Sequence, residues 1–127
     1  MRISVDAARE YFAHPSQRKA AMIEPDNLPE WADYYAHGSV CGAFHPAPWP
    51  GVLMGHIGVT PAAWGRSDSA VLAVMMEAAN DASPERIIGW VKEENRAALA
   101  LFRRIGFEID GRLPLATPVL CIGWRPA

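Results

Sequence analysis

The sequence predicts a mixed α/β (α+β) fold, and three observations carry that expectation. First, the apolar run 87–91, bounded by charge on both sides, has the character of a largely buried strand. It leads through Lys92-Glu93-Glu94-Asn95 into Ala98, Leu101, Phe102 and Ile105, which fall at i, i+3, i+4 and i+7 on one helical face. Asn95 suits the N-cap, Arg103 and Arg104 suit the negative end of the helix, and Gly106 is placed to close it in the left-handed conformation. Second, the strand-like run 51–59 precedes a helix-period segment, repeating the same order. Third, Phe107, Ile109 and Leu113, and then residues 118–124, return to strand character.

Taken in order, Val5, Ala8 and Phe12 lie at helical spacing, and Pro15 closes that segment. The short apolar run 20–23 fits a strand. Residues 25–29 are turn chemistry, and residues 31–35 fit either a helical turn or a strand. After Gly38, residues 39–44 read as a hairpin strand, followed by a stiff, proline-rich loop at 45–51. In the run 51–59, Gly55 and Gly58 suit a bulge or a close approach by a ligand or another backbone. Residues 60–69 then turn the chain into a helix of about four turns, 70–80 or 70–82. Its expected stripe is Val71, Met75, Ala78 and Ala82, widened by Leu72 and Met76, and is read as core. The whole order is two helix-forming segments, a hairpin, then β-α-β-α-β-β.

The chain has 127 residues, which suits a single domain over 1–127 with a real core. Half the residues are hydrophobic and 20% are charged, so a folded globular chain is expected rather than a disordered one. A net charge of −2 without a basic tract argues against nucleic acid as the main partner. Cys41 and Cys121 have no CxxC partner, and no apolar leader or membrane-length run is present. Reduced core thiols, a cytoplasmic setting and no metal site are the corresponding expectations.

The pattern Asn95-x-x-Ala98-x-x-Leu101-Phe102-x-x-x-Gly106-Phe107, with Gly111 after it, resembles the C-terminal motif of the GNAT acyl-CoA N-acyltransferases. The resemblance runs over about residues 38–124. It implies a central mixed sheet with two splayed parallel strands and flanking helices, with acetyl-CoA as cosubstrate in the splay. A bulge in the first strand would free backbone groups for the pantetheine amides, and the pyrophosphate would lie on the following loop and helix N-terminus. The residues so implied are Ile57, Gly58 and Val59 on the strand, Trp64, Gly65, Arg66, Ser67, Asp68 and Ser69 on the loop, and Asn95 and Phe102 on the last helix. The loop departs from the usual Arg/Gln-x-x-Gly-x-Gly/Ala, although its Trp-Gly-basic start is similar to the ribosomal-protein acetyltransferase branch. Asp68 would repel a pyrophosphate, and the alternative is that Ser67 or Asp68 simply caps the helix. A weaker resemblance, carried by the His-bearing strand before Thr60-Pro61 and by Val91-x-x-x-Asn95, is to phage and prophage GNAT-like proteins.

The chemistry implied is transfer of an acetyl group to an amine, which must lose a proton to attack. His56 is the titratable side chain of its strand, and an imidazole pKa of about 6.5 suits a general base. Strand alternation sets it opposite Leu53, Gly55 and Ile57 unless a bulge re-aims it, and a hydrogen-bonded structural histidine is the plainer reading. His45 is the alternative base. Backbone N–H groups near residues 57–59 would hold the oxyanion. The family's tyrosine acid would fall at Phe102, which has no proton to give. The expected partners are acetyl-CoA and an amine-bearing small molecule or protein, with a homodimer left open. The rivals are a non-catalytic GNAT-fold interaction or structural protein and an unrelated α/β binding module.

Overall fold

The computed structural model describes residues 1–15, 17 and 24–126. Its elements in chain order are β1 (Arg2–Ile3), α1 (Val5–Ala13), β2 (Asp33–His37), β3 (Val40–Pro46), β4 (Val52–Val59), α2 (Asp68–Ala82), β5 (Arg86–Lys92), α3 (Arg96–Arg104), β6 (Glu108–Leu113) and β7 (Val119–Trp124). Single 3-10 turns occupy Pro25–Asn27 and Pro61–Ala63. The seven strands form one sheet in the order β1-β2-β3-β4-β5-β7-β6. Every neighbouring pair is antiparallel except β4 and β5. The stretch 31–35 resolves into a turn and the start of β2. The expected strand at 20–23, which an N-terminal helix-forming segment would adjoin, lies outside the described residues.

Alternation along the strands divides the core between two faces. On the first face Tyr35, Val40, Phe44, Ile87, Val91, Ile122 and Trp124 pack against α2 and α3. On the second, Tyr34, Cys41 and Ala43 pack beneath Ala8 and Phe12 of α1, with Leu28 and Ala32 beside them. The buried arc of α2 is Val71, Val74, Met75, Ala78 and Ala79. This differs from the expected stripe. Leu72 and Met76 stand about 100° or more round the helix from the arc's centre and are exposed. Ala82 falls on the arc but sits exposed in the last turn.

The last helix follows its local signals closely. Asn95 Oδ1 accepts from the Ala98 amide at 3.2 Å, the N-cap bond that frees no backbone donor to go unpaired. At the other end Gly106 takes φ 107°, Phe107 N–H donates to Phe102 O at 2.9 Å and Gly106 N–H to Arg103 O at 3.1 Å. That pair of bonds is a Schellman closure, which a side chain at position 106 would strain. Of the expected stripe only Leu101 is fully buried; Ala98, Phe102 and Ile105 are partly buried against the core. Cys41 and Cys121 are both free thiols, and burial pushes Cys41 up to about 12, so it is an inert core residue. Among the described residues no helix is long and apolar enough to cross a membrane.

Candidate active site

The site is made by two strands that pair and then part. β4 and β5 are in register at Val52↔Arg86, Leu53↔Ile87 and Met54↔Ile88 only. Beyond that β4 continues against β3 and β5 against β7. A cavity of about 580 Å³ fills the opening, with Met75 of α2 and Ala98, Leu101 and Phe102 of α3 on one side. Half-burial of the α3 stripe therefore has a cause: the helix faces a space rather than a packed strand. Gly89 adjoins the point of divergence, where a Cβ would stand 3.3 Å from Gly55 O.

The ladder phase decides which backbone groups face this opening. Thr60 N–H donates to Ser39 O at 3.0 Å and Ala47 N–H to Val52 O at 2.9 Å, so the hydrogen-bonded pairs with β3 fall at even positions of β4. The odd positions, 53 to 59, present N–H and C=O towards β5. β5 pairs the first of them. At the far end Gln17 takes Val59: Val59 N–H donates to Gln17 Oε1 at 3.2 Å, and Gln17 Nε2 donates to Val59 O at 2.6 Å. Trp64 Nε1 also donates to Val59 O, at 2.9 Å. Ile57 lies between, with its amide and carbonyl directed at the cavity. No bulge is involved. The β3–β4 register runs without a break from Val40↔Val59 to Pro46↔Leu53, and divergence from β5 alone opens the edge. The two glycines of β4 serve packing instead, since a Cβ would stand 3.0 Å from the Phe44 ring at Gly55 and 3.0 Å from the Phe12 ring at Gly58.

The loop before α2 contributes Trp64, Gly65 and Ser67 to the cavity wall. Ser67 holds the N-cap position but its side chain makes no capping bond, and it is buried. Arg66 turns back, donating from Nε and a terminal nitrogen to Ala62 O at 3.2 and 2.7 Å. Asp68 accepts two bonds from Arg104, at 2.6 and 3.0 Å. The hydrogen bond from that guanidinium, with its charge, holds the Asp68 carboxyl below the usual carboxylate range. The carboxylate expected to repel an anion is thus paired, and Arg104 lines the cavity. Of the residues implied by sequence, His56, Ile57, Val59, Trp64, Gly65, Ser67, Asn95 and Phe102 line the cavity. Gly58 faces α1, and Arg66, Asp68 and the exposed Ser69 stand outside the lining.

His56 lies on the second face, as alternation requires, and still reaches the cavity wall. Its Nε2 is 3.2 Å from Nε2 of His45, and the rings stack at 5.4 Å. His45 Nδ1 is 3.1 Å from Pro46 O, which can only accept. That contact assigns the His45 proton to Nδ1, so a neutral His45 offers its Nε2 lone pair to N–H at His56 Nε2. Trp31 meets His45 edge-on at 5.1 Å. Phe102 packs edge-on against Phe107 at 5.0 Å.

The fold matches solved structures over almost the whole chain. A ribosomal-protein-alanine N-acetyltransferase from Brucella melitensis superposes with a TM-score of 0.75, covering 99% of this chain and 99% of its own, at 14% identity. An acetyltransferase of the GNAT family from Streptococcus pneumoniae gives 0.71 over 100% and 98%, at 15% identity. The chain has the GNAT acetyltransferase fold. A Salmonella typhimurium structure of the same fold, with its cofactor acetyl-CoA, gives 0.73 over 95% and 87%, at 14% identity. No family model and no curated protein matches the sequence.

Within this GNAT fold, sequence reasoning missed Gln17, Ile88, Trp90 and Arg104 as wall residues. Trp90 carried a usable signal: in a strand whose core side is Ile87 and Val91, it must face the other way. Gln17 and Arg104 carried none, because their partners are distant in sequence.

Proposed function

We propose that the chain is an N-acetyltransferase that uses acetyl-CoA and an amine. The observation supporting this most is the parting of parallel β4 and β5, which leaves the Ile57 N–H and C=O directed into a cavity of about 580 Å³. Those two groups suit a ligand amide, which can pair with a strand edge as another strand would. The N-terminus of α2 and Arg104 stand where an anionic group is favoured, which fits a pyrophosphate. Acetyl-CoA supplies an activated thioester carbonyl. His56 takes the proton of the attacking amine, with His45 accepting from its other ring nitrogen and so steadying the charge that develops. Phe102 gives no proton, and a thiol with a pKa of about 8.5 can leave as thiolate without one.

A second reading, a protein that binds CoA without turning it over, is favoured by two observations. Phe102 lines the cavity where an acid would be useful, and Gln17 already occupies both groups of Val59. Titration with acetyl-CoA by calorimetry, followed by thiol release with a panel of amines, separates the two. Binding with amine-dependent thiol release supports transfer, binding without release supports the second reading, and no binding refutes both.

A further inference from the structure

We infer that the acceptor is a primary amine on an aromatic or apolar body, with no second positive charge. The inference rests on the acetyl-transfer reading and adds the class of acceptor. The cavity wall takes side chains from both faces of the sheet. Ile57, Val59, Ile87 and Val91 come from the first face, and His56, Ile88 and Trp90 from the second. The opening between β4 and β5 therefore passes through the sheet, and the second-face mouth, where His56 stands, is where the amine meets the thioester.

What surrounds that mouth is aromatic and apolar. Ile88 and Trp90 flank the gap opposite His56. From His56 a row continues outward through His45 to Trp31, each ring within 5.4 Å of the next. Trp31 is 68% exposed, so a large indole stands in water two ring contacts out from the cavity wall, with its edge contact to His45. Flat rings so arranged offer stacking and edge contacts to an aromatic or hydrocarbon guest.

Charge points the same way. Among the described residues lining the cavity there is no Asp or Glu, and Arg104 carries the only fixed charge. Asp68, on the neighbouring loop, is engaged by Arg104. A polyamine or aminoglycoside would bring further ammonium groups into a lining that holds no carboxylate among the described residues, and desolvating an unpaired charge is costly. A single amine that gives up its proton to His56 meets no such obstacle. The neutral nitrogen then forms the bond to the acetyl carbon as the C–S bond breaks, and the sulfur leaves with that electron pair as thiolate. The second proton, which the new amide nitrogen must shed, passes to the thiolate to give the free thiol, while the first stays on His56 until solvent removes it.

The test uses the whole chain with acetyl-CoA, phenethylamine and spermidine. Donor binding is measured first by calorimetry, then phenethylamine binding to the CoA-loaded protein, then kcat/KM by thiol release. The expected result is phenethylamine binding, a kcat/KM about tenfold or more above that for spermidine, and a Trp31→Ala variant with KM for phenethylamine raised about threefold or more while acetyl-CoA affinity holds. Spermidine used as well as or better than phenethylamine, or a Trp31→Ala KM equal to that of the unaltered protein, overturns the inference. Acetyl-CoA binding with neither binding nor turnover of phenethylamine overturns it too, and leaves the donor site standing. Absence of acetyl-CoA binding removes the transfer reading itself.

Discussion

Gln17→Ala is the sharpest probe of how the open edge of β4 is managed. Gln17 is only 6% exposed, and its carboxamide satisfies both backbone groups of Val59. Truncation removes two hydrogen bonds of about 0.5–1.5 kcal/mol each and leaves the Val59 amide facing a partly dry cavity. Val59 O keeps its bond from Trp64 Nε1, which limits the loss. The expected destabilisation is about 2 kcal/mol. For a chain between the size classes with known slopes, that lowers Tm by roughly 8 °C. Circular dichroism melts of both proteins, alone and with acetyl-CoA, give the readout. Because the freed Val59 groups can pair with a ligand amide, acetyl-CoA should bind the variant at least as tightly and raise its Tm by at least as much. A melt within about 1 °C of the unaltered protein would show that the Gln17 bonds contribute nothing, an outcome usual only for surface sites. Loss of acetyl-CoA binding in a folded variant would mean that Gln17 contacts the ligand rather than standing in its place.

Leu101→Ala should cost about 2–3 kcal/mol by urea unfolding, towards the low end for such truncations because Leu101 already borders a cavity; a change below about 0.5 kcal/mol would contradict its packing. His56→Ala should lower transfer by about 10²–10⁴-fold with acetyl-CoA affinity unchanged, and an unchanged rate would remove His56 from the chemistry. Asp68 has its carboxyl pKa depressed in the folded state, so the stabilisation it confers is present above about pH 4 and is lost as pH falls through the folded value. The Tm of Asp68→Asn should therefore lie slightly below that of the unaltered protein at pH 6 and approach it as pH falls through the lowered Asp68 pKa. The gap should also shrink in about 1 M salt, because the pair is exposed; a gap that persists in acid would refute the ion pair as its source.

How much was legible in the sequence follows from how local each cause is. Residues 95–107 could be read down to the cap and the left-handed closure, because the bonds concerned join residues three to five apart. The α2 arc was read with its centre displaced, because composition alone could not say that Val74 and Ala79 face the sheet while Leu72 and Met76 do not. The glycines of β4 suggested a bulge, yet their causes are the rings of Phe44 and Phe12, from another strand and another helix. Asp68 looked hostile to an anion until its partner appeared 36 residues away. Gln17 bonds a backbone 42 residues distant, and such a contact leaves no pattern in sequence. The alternation that sets His56 opposite Ile57 was readable and holds, but its pairing with His45 depends on register.

The central claim is that the Ile57 edge, opened by the parting of β4 and β5, receives the amides of acetyl-CoA. Amide hydrogen exchange resolved to single residues, with and without acetyl-CoA, tests it most directly. The account predicts that exchange at Ile57 slows markedly on binding, while Gly58, whose amide is directed at β3 by the ladder phase, is little altered. Saturating acetyl-CoA that leaves Ile57 exchange unchanged would contradict it.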